Sequence, residues 1–176
     1  MIGTRRAPVA TGNNDPRPRW ATSNIDPRAR AERSRQEAMA AYWQQVEKAL
    51  ADVSYTRAIW RTELDSALKL LSQGKLVAGL AQAARIGRTY EASFIDHSRA
   101  VVNISAPEGA QRYHRLLLAL LEDLAEANAQ LARAATHRDL RLLAECSGFL
   151  RSIKQRLAEL NRERDAIAER FRLPRP

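Results

Sequence analysis

The stretch that decides the fold is YHRLLLALLEDLAEANAQLARA, residues 113–134. Its apolar side chains recur at alternating intervals of four and three residues. Because an α-helix has about 3.6 residues per turn, this spacing places them on one face. The pattern therefore predicts an amphipathic helix that packs against other helices. The row consists of Tyr113, Leu117, Leu120, Leu124, Ala127, Leu131 and Ala134, widened by Leu116 and Leu121.

The same alternation recurs in three further segments, and the connections between segments are only a few residues long. Short connections make consecutive helices antiparallel neighbours. The sequence therefore predicts an all-α fold, an antiparallel up-down-up-down four-helix bundle with an elongated first helix. The predicted helices span 27–72, 76–104, 106–135 and 137–172. The core is expected to include Leu117, Leu120, Leu124, Leu150, Ile153 and Leu157.

Local signals support these boundaries. Asp26-Pro27 is typical of a helix start, with Asp as N-cap and Pro at the first helical position. Gly74 is a suitable left-handed terminator for the first helix. The run from Ser105 to Glu108 fits a capping box for the third helix, and Thr136 to Asp139 is a weaker version for the fourth. Gly87 is expected to let two helices approach closely.

The chain divides into two parts by composition. Residues 1–25 contain three prolines and show no helical period, so we predict a flexible or extended tail. Residues 26–173 are predicted to form a single helical domain. Apolar residues make up 45% of the 176 residues, which excludes wholesale disorder. No run of 18 uncharged apolar residues occurs, so the sequence contains no candidate membrane span.

The formal charge of +9 is concentrated at the two ends of the sequence. Residues 1–35 carry a net +5, residues 36–137 carry 0, and residues 138–176 carry +4. Of the 29 basic residues, 25 are arginines, whose planar guanidinium suits carboxylates and phosphates. In an up-down-up-down bundle, the start of the first helix and the end of the fourth lie at one pole. The two basic ends are therefore expected to converge there.

We interpret this basic pole as a docking surface on a non-enzymatic structural or protein-interaction module. Its partner would be an acidic protein surface or another anionic surface, including anionic lipid. The alternative is a nucleic-acid-binding accessory protein that contacts phosphates without reading sequence. A homo-oligomer is a further possibility for such a module. The candidate partner-binding residues are Arg17, Arg19, Trp20, Arg28, Arg30, Arg33, Arg35, Arg162, Arg164, Arg170 and Arg172.

Patterns that carry catalysis or cofactor binding are not found in the sequence. No Glu-x-x-His motif for a di-iron bundle occurs, and no glycine-rich phosphate loop follows a strand. The single cysteine, Cys146, lies in the predicted apolar row of the fourth helix and is expected to act as a small apolar side chain. We therefore expect no catalytic residues, no cofactor and no metal.

Two arginines interrupt otherwise apolar rows, Arg57 on the first helix and Arg164 on the fourth. They could pair with carboxylates at the edge of the core, extend their charged ends to solvent, or receive a ligand. The sequence leaves these three alternatives open.

The sequence from Pro107 onward resembles a pattern found in uncharacterised bacterial helical-bundle proteins. The resemblance as a whole covers about residues 36–170. The shared pattern is a proline that opens a helix, a histidine seven residues later, a leucine-rich stretch and an aspartate before the last helix. These positions are Pro107, His114, Leu116 to Leu121 and Asp139. The resemblance implies a helical bundle without catalytic residues, often in secreted proteins or lipoproteins. The first 30 residues contain no apolar signal segment, which predicts a cytoplasmic location and leaves association with the cell envelope open as the alternative.

Overall fold

The structure is a computed structural model that describes residues 26–173, with side chains described throughout except at four positions of the last helix. Those positions are Ser147, Phe149, Leu150 and Arg151. Within this range the chain forms four α-helices and no strand: α1 (Pro27–Ser72), α2 (Leu76–Val102), α3 (Gln111–His137) and α4 (Leu140–Phe171). The predicted all-α class is confirmed for these residues. The predicted tail, residues 1–25, and the predicted burial of Leu150 lie outside the described part.

Both ends of α1 are confirmed, because strong local signals define them. The side chain of Asp26 accepts a hydrogen bond of 3.0 Å from the backbone N–H of Arg28, and Pro27 is the first helical residue. At the other end, Gly74 has a φ of +76° and the N–H of Lys75 donates to the carbonyl of Leu70. This is the hydrogen bond of a Schellman motif, which favours glycine at the left-handed position.

The predicted start of the third helix is wrong. The carbonyl of Pro107 accepts a hydrogen bond from the N–H of Ala110, and Gly109 between them has a φ of +95°. A positive φ at this position belongs to a tight turn and is incompatible with a right-handed helix. The turn therefore delays α3 until Gln111, and the stretch predicted as a capping box lies in the loop.

The remaining boundaries differ by two or three residues. Helix α2 ends at Val102 instead of residue 104, and α4 begins at Leu140 instead of residue 137. The N-cap of α4 is Asp139, whose carboxylate accepts from the N–H of Leu142 at 3.0 Å. The weaker capping signal at Thr136 is therefore superseded, because α3 continues through His137.

Among the described helices, α3 has the most buried residues. Helix α1 packs along α2, α2 along α3, and α3 along α4. The closest approach is at Gly87, where an added Cβ would lie 2.6 Å from backbone atoms of Asn128 and Ala132. This confirms the prediction that Gly87 permits a close helix contact.

Most of the predicted core is confirmed. Buried side chains include Leu117, Leu120, Leu124 and Ile153, whereas Leu157 is only half-buried. Leu157 lies beside a cleft between α1 and α4, which approach each other much less closely than consecutive helices do in the described range. No helix among residues 26–173 carries a stretch both long and apolar enough to cross a membrane.

Candidate functional site

The beginning of α1 and the end of α4 lie at the same end of the molecule. Gly109, in the loop before α3, lies close to both helices. A Cβ added to it would be 3.4 Å from the ring of Phe171 on α4 and 3.7 Å from Cε of Met39 on α1. Met39 is therefore level with the last residue of α4. The twelve residues that precede it, 27–38, extend about 18 Å further at about 1.5 Å per residue. We call residues 27–38 the projection.

The projection is a polar helix with little tertiary contact. All of its side chains are exposed except that of Ala29, which is partly buried. Arg35 approaches Glu108 of the α2–α3 loop at 3.9 Å, and both side chains are exposed. Such pairs contribute about 0–1 kcal/mol each. The exposed arginines of the projection are Arg28, Arg30, Arg33 and Arg35.

The predicted arginines of α4 lie at different levels. Arg170 and Arg172 are at the pole, where the guanidinium of Arg170 lies 5.3 Å from the ring centroid of Phe171. Arg162 and Arg164 precede Phe171 by about 10–14 Å along the helix axis. They are therefore separated from the projection, and Arg164 lines the cleft described below. Arg17, Arg19 and Trp20 lie outside the described residues.

The charges at the described pole are nearly balanced. Residues 26–38 and 169–173, together with Glu108 beside Arg35, hold six arginines and five carboxylates. Much of the positive surplus near the C-terminus instead falls in residues 138–156, which form the α3–α4 connection and the first half of α4. In that half, Arg156 pairs with Asp123 of α3. The pole is thus a surface of mixed charge with exposed arginines on a projecting helix.

A second candidate site is the cleft between α1 and α4, whose floor is α3. Its volume is about 350 Å³, within the range of small-molecule pockets. Much of its lining is apolar: Leu50, Val53, Leu117, Leu120, Leu157 and Leu160. Four ionisable side chains reach the same cleft, namely Glu47 and Arg57 from α1, Tyr113 from α3 and Arg164 from α4. We call this the α1–α4 cleft.

Polar atoms without partners are concentrated in the α1–α4 cleft. Among the described residues, five buried side-chain nitrogen or oxygen atoms lack a hydrogen-bond partner, and four of them belong to cleft residues. They are Oε1 of Glu47, Nε of Arg57, the hydroxyl of Tyr113 and Nε of Arg164. A buried polar atom without a partner costs about 1–3 kcal/mol, so native proteins contain few of them. The cleft is therefore a place where hydrogen-bonding capacity is left unused.

The two arginines of the cleft are only partly compensated. Burial, followed by the neighbouring Arg61, lowers the pKa of Arg57 from its ordinary value. Arg164 lies 3.8 Å from Asp165, its own neighbour on α4, and its side chain is 28% exposed. Burial also raises the pKa of the Tyr113 hydroxyl. The sequence left open whether these arginines pair with carboxylates. Among the described contacts, Arg164 has a carboxylate neighbour only on its own helix, and neither arginine forms an ion pair with another helix.

Sequence reasoning missed Glu47 and did not connect Tyr113 with Arg57. A signal was present, because Glu47, Leu50, Ser54 and Arg57 follow a spacing of three, four and three residues. That spacing defines a second row beside the main apolar face of α1. Only the distance between α1 and α4 shows that this row borders a cleft.

The other ionisable groups have structural roles. The imidazole Nε2 of His97 lies 2.9 Å from the hydroxyl of Thr56, and Nδ1 of His114 lies 3.3 Å from the hydroxyl of Tyr42. Burial raises the pKa of the Cys146 thiol, which lies among apolar side chains. Within residues 26–173, no three His, Cys, Asp or Glu side chains are grouped closely enough to hold a metal ion.

Comparisons with protein-family models, with curated proteins and with solved structures find no match to this chain. The resemblance to bacterial helical-bundle proteins therefore stays a prediction. The projection and the α1–α4 cleft are therefore the two features that bear on function.

Proposed function

We propose that this chain is a non-enzymatic interaction module that docks an acidic protein surface through the exposed arginines of its pole. The observation that supports this is the projection, a run of α1 that no other helix covers. Most of the stability of a helix comes from packing of an amphipathic face, and an isolated helix of about twelve residues is marginal in water. A partner that packs against the projection would supply the missing contacts.

The proposed scaffold is an up-down-up-down four-helix bundle with its α1–α4 side open. Side-chain contacts that run in opposite order along neighbouring helices support this arrangement, as do the apolar spacings of three and four residues. Such contacts join Thr56 to His97 and Glu63 to Arg85, and Arg112 to Glu159 and Asp123 to Arg156. In such a scaffold α2 and α3 provide a rigid centre, and α1 presents the projection at a fixed angle.

The charge pattern favours an acidic protein over nucleic acid. Binding to a phosphate backbone relies on a strong positive surplus, whereas the described pole holds nearly equal numbers of arginines and carboxylates. A protein partner can place single carboxylates against the arginines of the pole. The same partner can place basic side chains against the acidic side chains of the pole.

The experiment compares the wild type with a variant in which Arg28, Arg30, Arg33 and Arg35 are all replaced by Gln. Binding of a fluorescent polyglutamate peptide and of a short DNA duplex is measured by anisotropy at about 0.1 M and about 1 M salt, where the Debye lengths are about 10 Å and 3 Å. We expect the wild type to bind polyglutamate at the lower salt, and the variant to bind at least about tenfold more weakly.

The matched control replaces four exposed basic residues away from the pole, Arg61, Lys69, Lys75 and Arg88, by Gln. It should retain most of the affinity of the wild type. Equal losses in the two variants would mean that only net charge matters, and this would overturn the proposal. Tighter binding of the DNA duplex than of polyglutamate would favour the nucleic-acid alternative.

Deleting residues 1–25 tests the contribution expected from Arg17, Arg19 and Trp20. We expect weaker binding of polyglutamate and an almost unchanged melting temperature, since the predicted tail contributes to no apolar row. Undiminished binding at low salt would remove these three residues from the docking surface.

A further inference from the structure

We infer that the α1–α4 cleft binds a small carboxylate with an apolar body, held chiefly by Arg57, which has no carboxylate partner among the described contacts, and by Arg164, which lies 3.8 Å from Asp165. This is a second site, separate from the pole: its ligand is a small molecule, and its residues come from the middle of α1, the first half of α3 and the second half of α4.

The first argument is the concentration of unused hydrogen-bonding groups. Nε of Arg57, Nε of Arg164, the Tyr113 hydroxyl and Oε1 of Glu47 are all buried and without a hydrogen-bond partner, and all belong to residues that line one cleft. Buried polar atoms without partners mark positions where a ligand or an ordered water is expected. The walls of the cleft are rich in leucine, and an apolar ligand body would remove these walls from water.

The second argument is the balance of charge. Two guanidinium groups and one carboxylate give the cleft a net charge of +1, which a monoanion neutralises. A carboxylate accepts hydrogen bonds from guanidinium N–H groups in a well-matched planar geometry. A phosphate dianion fits less well, because the carboxylate of Glu47 in the same cleft would repel its second charge.

The third argument concerns size and shape. A volume of about 350 Å³ equals that of roughly twelve liquid water molecules. This suits an acid with about ten non-hydrogen atoms. Because the arginines stand on α1 and α4, which approach each other little elsewhere, one ligand can interact with both helices.

Octanoate is a suitable probe, since its seven-carbon alkyl chain and its carboxylate together have ten non-hydrogen atoms. Isothermal titration calorimetry should detect saturable binding of octanoate to the full chain. Octan-1-ol, which has the same body without the charge, and acetate, which has the charge without the body, should each bind at least about tenfold more weakly. Octylamine should also bind weakly, because a cation meets two arginines.

The variants Arg57→Gln and Arg164→Gln should each weaken octanoate binding by about tenfold or more. Arg115→Gln removes the same charge from an exposed position on α3 and should leave octanoate binding unchanged. Ser54→Phe places a ring at the cleft wall and should abolish binding with every charged group in place. Circular dichroism confirms that each variant is folded.

The proposal is overturned if octanoate and octan-1-ol bind equally, because the arginines then do not select an anion. It is also overturned if the folded Ser54→Phe variant binds octanoate as the wild type does, since the ligand then lies elsewhere. Absence of saturable binding to the wild type would mean that water fills the cleft.

Discussion

The indole Nε1 of Trp60 donates a hydrogen bond of 2.9 Å to Oδ1 of Asn128, across the interior from α1 to α3. Asn128 is the one buried polar side chain among the described residues, and its amide donates in turn to the carbonyl of Leu124 at 2.8 Å. Both residues are therefore satisfied. This bond links two helices that are not consecutive in the chain, so it fixes their relative rotation.

We predict that Asn128→Ala lowers the free energy of unfolding by about 1–3 kcal/mol, because the indole N–H of Trp60 then remains buried without an acceptor. Urea denaturation measures the loss. The exposed Gln155→Ala on α4 serves as a control and should change stability by less than about 0.5 kcal/mol. If Asn128→Ala lost no more than this control, the hydrogen bond would contribute nothing to stability.

A second prediction concerns the close contact of α2 with α3. Gly87→Ala should destabilise the protein by about 1–3 kcal/mol, because the new Cβ meets backbone atoms that can move only if the helices separate. Gly148→Ala is the matched substitution in a helix with open space around it, and it should stabilise by up to about 1 kcal/mol. Thermal and chemical denaturation of both variants test the contrast, and effects of the same sign would contradict it.

A third prediction concerns the floor of the cleft. Leu120, which is 2% exposed, should lose about 2–5 kcal/mol of stability on substitution by Ala. Leu140 is 59% exposed, so Leu140→Ala should cost little. A loss below about half a kcal/mol for Leu120→Ala would show that this face of α3 is wrongly assigned to the core.

A fourth prediction concerns pH. Burial lowers the pKa of His114, so the folded chain favours the neutral imidazole. The unfolded chain binds this proton more readily, with a pKa of about 6.5, so the free energy of unfolding should fall as the pH drops through that value. We expect His114→Gln to reduce the fall between about pH 7 and pH 5. Urea denaturation at several pH values measures it, with the exposed His137→Gln as control. An unchanged pH dependence in His114→Gln would contradict this origin.

The sequence predicted the features that depend on local signals. The ends of α1 follow from the cap at Asp26 and the glycine at position 74, each of which acts within one helical turn. The predicted start of α3 was wrong because two local signals compete there. The turn at Gly109 prevailed over the capping pattern at Ser105. Nothing in the amino-acid order ranks these two signals, so the prediction failed there.

The sites depend on distances that spacing alone does not give. The charge count placed Arg162 and Arg164 at the pole because they are near the end of the sequence. Their actual distance from the pole depends on where α4 ends relative to α1. The position of Phe171 beside Gly109 defines that end. Likewise, Arg57 was recognised as an interruption, but Glu47 became a cleft residue only when the gap between α1 and α4 was known.

The open side between α1 and α4 has a consequence for local unfolding. Helix α4 packs mainly against α3, and its buried apolar side chains in the described part are Ile153, Leu160, Ile167 and Ala168. Helix α1, by contrast, buries two tryptophans and extends ring contacts to α3. The free energy needed to detach a helix increases with the apolar surface that it buries, so a helix that buries less detaches more easily. In native-state hydrogen exchange, amide protons of α4 should therefore exchange through a partial opening in which α1, α2 and α3 stay assembled.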